Sequence, residues 1–417
     1  MPGTLLVRGA RQLITLRGSA EPRRGAALKE LSIIRDGALL IEDGRIVQVG
    51  LSRRVEILAR MLRPQEIDAT GRVVMPGFVD CHTHLVCGVP GMDAYEERIA
   101  AAEPTHKTAA SVQALGSCSG HRLESRARQF VNGMIRHGTT TLEAKSGYGF
   151  DARSELKILR VQAKLNGMPL DIASTLLTPY RIPAEYASDA AGYYSWMCAE
   201  LLPAIRRREF ARFAGLRCGE SAFDMAQSRR YLETARALGF QLKVHAGQHA
   251  ASDAVRLAVE VGAASVDRLQ DAGPADLDLL ARSNTMAVLL PGNTFQGGSG
   301  GCAHARQLID GGAAVALGTN FNPGASSTYS MPAIIALACA NVGMSPAEAI
   351  CAATFNAACA IGSGAVAGSL EVGKPADLIV LNASDYREIP YHFGVNLVNR
   401  TVKRGVTIYQ EGRVALR

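Results

Sequence analysis

Residues 126–149 read RARQFVNGMIRHGTTTLEAKSGYG, an amphipathic helix that stops at Gly138 and an apolar strand that follows at once. Glycine ends helices because it takes up the left-handed backbone that closes the last turn. The same unit recurs down the chain. ELKILRVQAKLNG (155–167) leads to LDIASTLL (170–177), and SRRYLETARALG (228–239) leads to FQLKVHAG (240–247). AVRLAVEVG (254–262) precedes ASVDRL, ADLDLLARSN (275–284) precedes TMAVLLPG, and ARQLIDGG (305–312) precedes AAVALGTN. Alternating strands and helices place helices on the faces of a parallel sheet. About eight such units, from roughly residue 74 to 362, predict an α/β fold whose sheet closes as a (β/α)8 TIM-type barrel.

The two ends of the chain read differently. LLVRGARQLI (5–14), GALLIEDGRIVQVG (37–50) and EIDATGRVVMPG (66–77) are short strands, with EDG as a hairpin signal. GSLEVGKPADLIVLNAS (368–384) and VKRGVTIYQEGRV (402–414) read as strand, turn, strand. Neither end has enough apolar surface to fold alone. Residues 1–70 and 365–417 are therefore expected to share one small composite β-sandwich, leaving 71–364 as the barrel.

The 417 residues hold 45 Lys and Arg against 38 Asp and Glu, a net charge of +7. The basic residues are scattered, without aromatic interleaving, so nucleic acid is not an expected partner. A mild positive field favours an anionic small molecule instead. Nine cysteines are present, with no CxxC pair, and most lie in apolar surroundings such as those of Cys339 and Cys351. That is the usage of a reducing, cytoplasmic compartment. The N-terminal stretch lacks the apolar core of a signal peptide, and no run of about 20 apolar residues is present to span a membrane.

The chemistry concentrates where strands end. VVMPGFVDCHTHL (73–85) carries His82 and His84 one residue apart. On a strand, residues i and i+2 share a face, so both imidazoles point the same way. FQLKVHAG puts His245 at the end of a second apolar strand. At the C-terminal mouth of a barrel, where active sites sit, three such histidines suit Zn²⁺ or Fe²⁺. His249 falls beyond the strand and reads as a loop residue. Asn320 ends a third strand, before a turn built on Asn322, Pro323 and Gly324. In EAKSGYG the phenol of Tyr148 sits between glycines, where it can reach a ligand or pack on the rim.

Taken together, these segments resemble imidazolonepropionases of the amidohydrolase superfamily. The resemblance runs from about residue 30 to the C-terminus and rests on MPGFVDCHTHLV, GTTTLEAKSGYGFDARSELKILR, FDMAQSRRYLETARALGFQLKVHAGQ, ALGTNFNPGAS and GSLEVGKPADLIVL. It implies a metal-binding barrel beside a composite β-sandwich, a homodimer, and hydrolytic opening of 4-imidazolone-5-propanoate to N-formimidoyl-glutamate. Carried over by position, the family's metal ligands fall on His82, His84, His245 and Asn320. Its substrate contacts fall on Tyr148, Gln248, Asn322 and Gly324.

This chain departs from the family at the centre itself. The family has Asp where Asn320 stands, and His in an Asp-His-Leu segment where the chain reads Asp267, Arg268, Leu269. A family Glu aligns with Gly219, with Glu220 one place on. The substrate-binding Arg aligns with about Gly91, and a substrate-binding His with Tyr180. A carboxylate can both ligate a metal and take a proton from water, whereas an amide such as Asn320 has no basic atom at neutral pH. Arg268 would set a permanent positive charge near any metal.

Three readings stand. The chain is a hydrolase of a small cyclic amide or amidine, with a zinc or iron centre on three histidines and Glu220 or Asp267 as base. Alternatively it is a metal-free paralogue that binds a small anionic ligand or runs a non-hydrolytic step, with Arg268 supplying the lost positive charge. The third is a purely structural role.

Overall fold

A computed structural model of the chain describes residues 3–412 apart from 89–91, 93–95, 97–114, 150, 168, 180–181, 184–185, 220–222, 248–249, 270–271, 298–304 and 323–325. The N-terminal segment forms β1 (Leu5–Ile14), β2 (Ile33–Glu42), β3 (Arg45–Leu51), β4 (Gln65–Asp68) and β5 (Val73–Pro76). The EDG signal joins β2 to β3: Asp43 and Gly44 both have positive φ, 47° and 78°, as a primed hairpin turn requires.

The barrel follows as β6 (Phe78–Thr83), β7 (Thr139–Lys145), β8 (Asp171–Leu177), β9 (Phe213–Cys218), β10 (Gln241–Ala246), β11 (Ser265–Asp267), β12 (Met286–Leu289) and β13 (Val315–Leu317). Each pairs in parallel with the next, as the strand and helix rhythm predicted. Two backbone bonds draw the ends of this sheet together. The Asn320 N–H donates to the His82 carbonyl at 2.9 Å, and the His84 N–H to the Phe321 carbonyl at 2.8 Å. Gly318 permits that approach, because a Cβ there would stand 2.8 Å from the Cβ of His82.

The outer helices bury one stripe each. Gly120–Arg136 starts under a Ser119 cap that accepts from the Arg122 N–H. It turns Leu123, Ala127, Val131, Met134 and Ile135 inward, which puts an apolar contact on nearly every turn. Each of the larger side chains contributes roughly 1.5–3 kcal/mol on burial before the entropy of ordering is subtracted. Gly138, with φ 86°, closes the end, and Phe78 of β6 donates its N–H to the Gly138 carbonyl.

After the barrel come β14 (Leu378–Leu381), β15 (Val398–Lys403) and β16 (Val406–Gln410). They join the N-terminal strands in one mixed sheet of order β16-β15-β14-β5-β1-β2-β3, with β4 on β1. Leu13, Leu39, Ile41, Val74, Leu378, Val380 and Val402, from both chain ends, share a core. The opposite faces of β5 and β14 present Val73, Met75, Ile379 and Leu381 to the barrel's core. The stretch GSLEVG, expected as a strand, is not one. Gly368 and Gly373, at φ 81° and 89°, break the extended run, leaving single bonds from Leu370 to Thr15 and from Gly373 to Ile46.

An ionic tie joins sheet and barrel. Lys403 Nζ, fully buried, reaches Asp171 Oδ2 at 2.6 Å, Asp377 Oδ2 at 2.7 Å and the Thr140 carbonyl at 3.0 Å. Among the described residues no helix is long and apolar enough to cross a membrane.

Candidate active site

Strand register assembles the site. His245 on β10 is the pairing partner of Arg217 on β9 and of Asp267 on β11, so these three stand abreast near the strands' C-terminal ends. Lys243 lies one layer down, abreast of Gly215 and Ser265. Alternate residues of a strand share a face, so Lys243 and His245 point into the same space. His82 on β6 and Lys145 on β7 complete the layer, and Asp80 and Glu143 lie beneath them; all are buried.

A charge-matched cluster spans the two layers. Lys145 Nζ lies 2.8 Å from Glu143 Oε1 and 3.0 Å from Asp267 Oδ2. Lys243 Nζ lies 2.9 Å from Glu143 Oε2, and the Thr175 hydroxyl also donates to Glu143. Ser265 Oγ donates to Asp267 Oδ1 at 2.7 Å. Burial alone would raise the Glu143 carboxyl, but Lys145 and Lys243 overcome it and hold it below its ordinary value. Asp267 is likewise held well below, against burial, by Lys145 and by the bond to His82. Two lysines and two carboxylates thus cancel inside the barrel, the condition under which buried charge is tolerated.

The histidines stand above that cluster. His82 Nδ1 lies 2.8 Å from Asp267 Oδ2, and its ring centroid is 5.6 Å from that of His84 and 5.3 Å from that of His245. Burial, then Lys145, brings the His82 pKa down to about 4. Burial, then Arg217, drives His84 and His245 well below the ordinary imidazole value. All three rings are therefore uncharged at neutral pH. His82 Nε2, His84 Nδ1 and His245 Nδ1 are buried without a hydrogen-bond partner among the described residues. Uncharged imidazoles with open nitrogens suit a divalent cation. His82, His245 and Asp267 also offer ligand atoms within 4.8 Å of one another. The Asp267 oxygens, however, already accept from His82, Lys145 and Ser265. Its geometry is that of the carboxylate that orients a ligating histidine from behind.

The other sequence-derived residues fall as follows. Asn320, at the mouth and 5 % exposed, takes a left-handed backbone with φ 51°. Its Nδ2 donates to Asn293 Oδ1 at 3.5 Å, and its carbonyl and Oδ1 accept from Asn322 Nδ2 at 2.7 and 3.3 Å. Arg268 is half-buried with φ 66°, its N–H bonded to the Val288 carbonyl at 3.2 Å. Left-handed backbone is uncommon outside glycine, and strain of this kind collects at functional sites. The Tyr148 ring packs edge-on against His84 at 4.7 Å. Gly147 before it has φ 94° and a position where a Cβ would meet the Leu177 carbonyl at 2.9 Å. Glu220, Tyr180, Gln248, Gly324, Gly91 and His249 lie outside the described residues.

Four residues of the site were not read from the sequence: Glu143, Lys145, Lys243 and Arg217. Their signal was present, as charged residues on alternate positions of apolar strands (EAK, QLKVH, GLRC).

A sequence model described as the amidohydrolase family matches residues 219–408. An imidazolonepropionase of Symbiobacterium thermophilum is 41% identical, the alignment covering 100% of both chains. Among solved structures, a triazine hydrolase variant superposes with a TM-score of 0.76 at 16% identity, covering 100% of this chain and 96% of the other. An adenosine deaminase from Xanthomonas campestris with bound zinc gives 0.69 at 19% identity, covering 100% and 95%. At such identities the structural likeness speaks for the fold.

Proposed function

Because the chain belongs to the imidazolonepropionase family, we propose that it is a hydrolase that opens a carbon–nitrogen bond of a small cyclic amide or amidine. The observation that carries this reading is the set of three buried, uncharged imidazoles with open nitrogens at the barrel mouth. His82, His84 and His245 would hold a divalent cation, zinc or iron. Such an ion, when bound, acidifies a water and polarises the amide carbonyl.

The chain's own groups do the rest. Asp267 fixes the His82 tautomer and ring plane through Nδ1. Asn320 cannot accept a proton, and its side-chain amide donates to Asn293 Oδ1 and accepts from Asn322 Nδ2. Asp267 cannot serve either, because its charge is held by Lys145 and its oxygens are occupied. We therefore assign the water's proton to Glu220, two residues beyond the end of β9. Tyr148, against His84, sets the ring of the substrate, with Tyr180, Gln248, Asn322 and Gly324 as its remaining contacts.

The test is ring opening of a panel of hydantoins, lactams and 4-imidazolone-5-propanoate, followed by loss of ring absorbance. At least one member should be opened, with His84→Ala abolishing it. The imidazolone itself should be turned over slowly, since Gly91 and Tyr180 stand where the family has Arg and His. No opening of any member by zinc- or iron-supplemented protein would sink the reading.

A second reading is favoured by the two cations beside His245. Both Arg217 and Arg268 act on its charge, and both oppose a metal ion there. On this reading the chain is a metal-free paralogue that binds a small anion or runs a non-hydrolytic step. Metal analysis of purified protein separates the two.

A further inference from the structure

We propose that Arg217 is the receptor for a carboxylate group of the ligand in the barrel mouth. The inference rests on reading the mouth as the ligand site, and does not depend on hydrolysis.

Arg217 is 6 % exposed, and its Nε is buried without a hydrogen-bond partner among the described residues. The buried lysines differ, and Arg23, buried like Arg217 without a carboxylate partner among the described residues, donates instead to the Leu16 and Arg17 carbonyls. Lys145, Lys243 and Lys403 each reach carboxylates at 3.0 Å or less. Among the described residues no carboxylate forms an ion pair with Arg217. A buried cation without a counter-charge costs several kcal/mol, so proteins rarely keep one unless an anion arrives from outside. The position faces the chemistry. Arg217 is abreast of His245, and its guanidinium lies 5.9 Å from the centre of the Tyr148 ring, which packs on His84. A guanidinium within about 6 Å of an aromatic ring is attracted to it, which helps hold Arg217 beside Tyr148.

The guanidinium fork is planar and matches a planar carboxylate with two parallel hydrogen bonds. One unmatched positive charge also suits a monovalent group better than a doubly charged phosphate. A ligand carboxylate on Arg217 would bring the neighbouring part of the molecule beside Tyr148 and His84.

The probe is succinate, with neutral succinamide and inorganic phosphate as controls, read by thermal shift and calorimetry on the full chain. Succinate should raise the melting temperature and succinamide should not. Arg217→Met should weaken succinate binding on the order of 30-fold, the value of charge-assisted hydrogen bonds, and Arg217→Lys by less. Without ligand, Arg217→Met should melt at or above the native temperature, because it removes a buried charge that no carboxylate of the described residues matches. A lower melting temperature would show that Arg217 has a partner within the chain, and the proposal fails. It also fails if succinate binds the Met variant as well as native protein, or if phosphate or succinamide binds as tightly as succinate. Succinate binding on Arg217 with no ring opening would leave this proposal standing and remove the hydrolase.

Discussion

Asp267 Oδ2 stands 2.8 Å from His82 Nδ1 and neither group is exposed to solvent, so one carboxylate ties the barrel's charge cluster to its histidine layer. Lys145 shares the same oxygen at 3.0 Å. The imidazole is thereby fixed by Nδ1, and its Nε2 is left without a hydrogen-bond partner among the described residues.

Asp267→Asn keeps the shape and removes the charge. Losing an orienting carboxylate costs about 10–100-fold in metal affinity. It also leaves the cluster with an unmatched lysine, a loss of about 3 kcal/mol. Zinc competition against a chromophoric chelator and urea unfolding measure the two effects. Unchanged zinc affinity would mean that His82 does not ligate through the ring that Asp267 holds.

Asn320→Asp with Arg268→His restores an anionic ligand and removes a cation. Two unit charges about 5 Å apart repel by about 3 kcal/mol at an effective dielectric near 20. Zinc affinity should therefore rise by at least about 100-fold over the native chain, read by equilibrium dialysis. Equal, tight binding by both proteins would show that the two substitutions are electrostatically silent and would remove the metal-free reading.

Lys403→Met tests the tie between sheet and barrel. It leaves Asp377 buried and Asp171 without one of its two cations, Arg404 Nη2 remaining at 2.6 Å. Breaking a buried pair from one side costs about 3–5 kcal/mol. The urea midpoint should fall accordingly, and a change below about 0.5 kcal/mol would show that water replaces the ammonium there.

Asp385 carries a pH dependence. The Arg387 side chain, then the Arg387 N–H and the Gln12 amide, hold its carboxyl below the ordinary range. A folded-state pKa below the unfolded one gives stability that is complete above about pH 4 and drains away as pH falls through the folded value. Asp385→Asn should cost about 1 kcal/mol at pH 7, and the gap from native should narrow between about pH 4 and pH 2. A gap that stays constant over that window would mean the carboxylate is not favoured by folding.

The barrel was legible because its code is local. Gly138 after an amphipathic stretch, and an apolar run after Gly138, need no distant information. His82 was legible for the same reason, at the end of an apolar strand, whereas His84 lies one residue past β6, where strand alternation no longer fixes its direction. Arg217 was not legible. What makes it part of the site is its register opposite His245, and register between separate strands is set by the whole sheet. The charge cluster was missed because single charges within EAK and QLKVH look like solvent-facing positions, although these strands have no solvent face. Over 190–207 a short helix, a π turn and a second helix run on through Trp196, Met197 and Leu202. No single period carries through that segment, so pattern reading passed over it.

The sheet built from both chain ends imposes an order on synthesis. β5 is bonded on one side to β1 and on the other to β14, which is made only after the last barrel strand. A nascent chain therefore carries β5 as an open edge through the whole of barrel translation, with its backbone N–H and C=O groups available to any other strand. Pairing over so long a separation closes slowly. The hazard for this protein lies in the ribosome-bound interval before β14 emerges, when β5 has only one of its two partner strands.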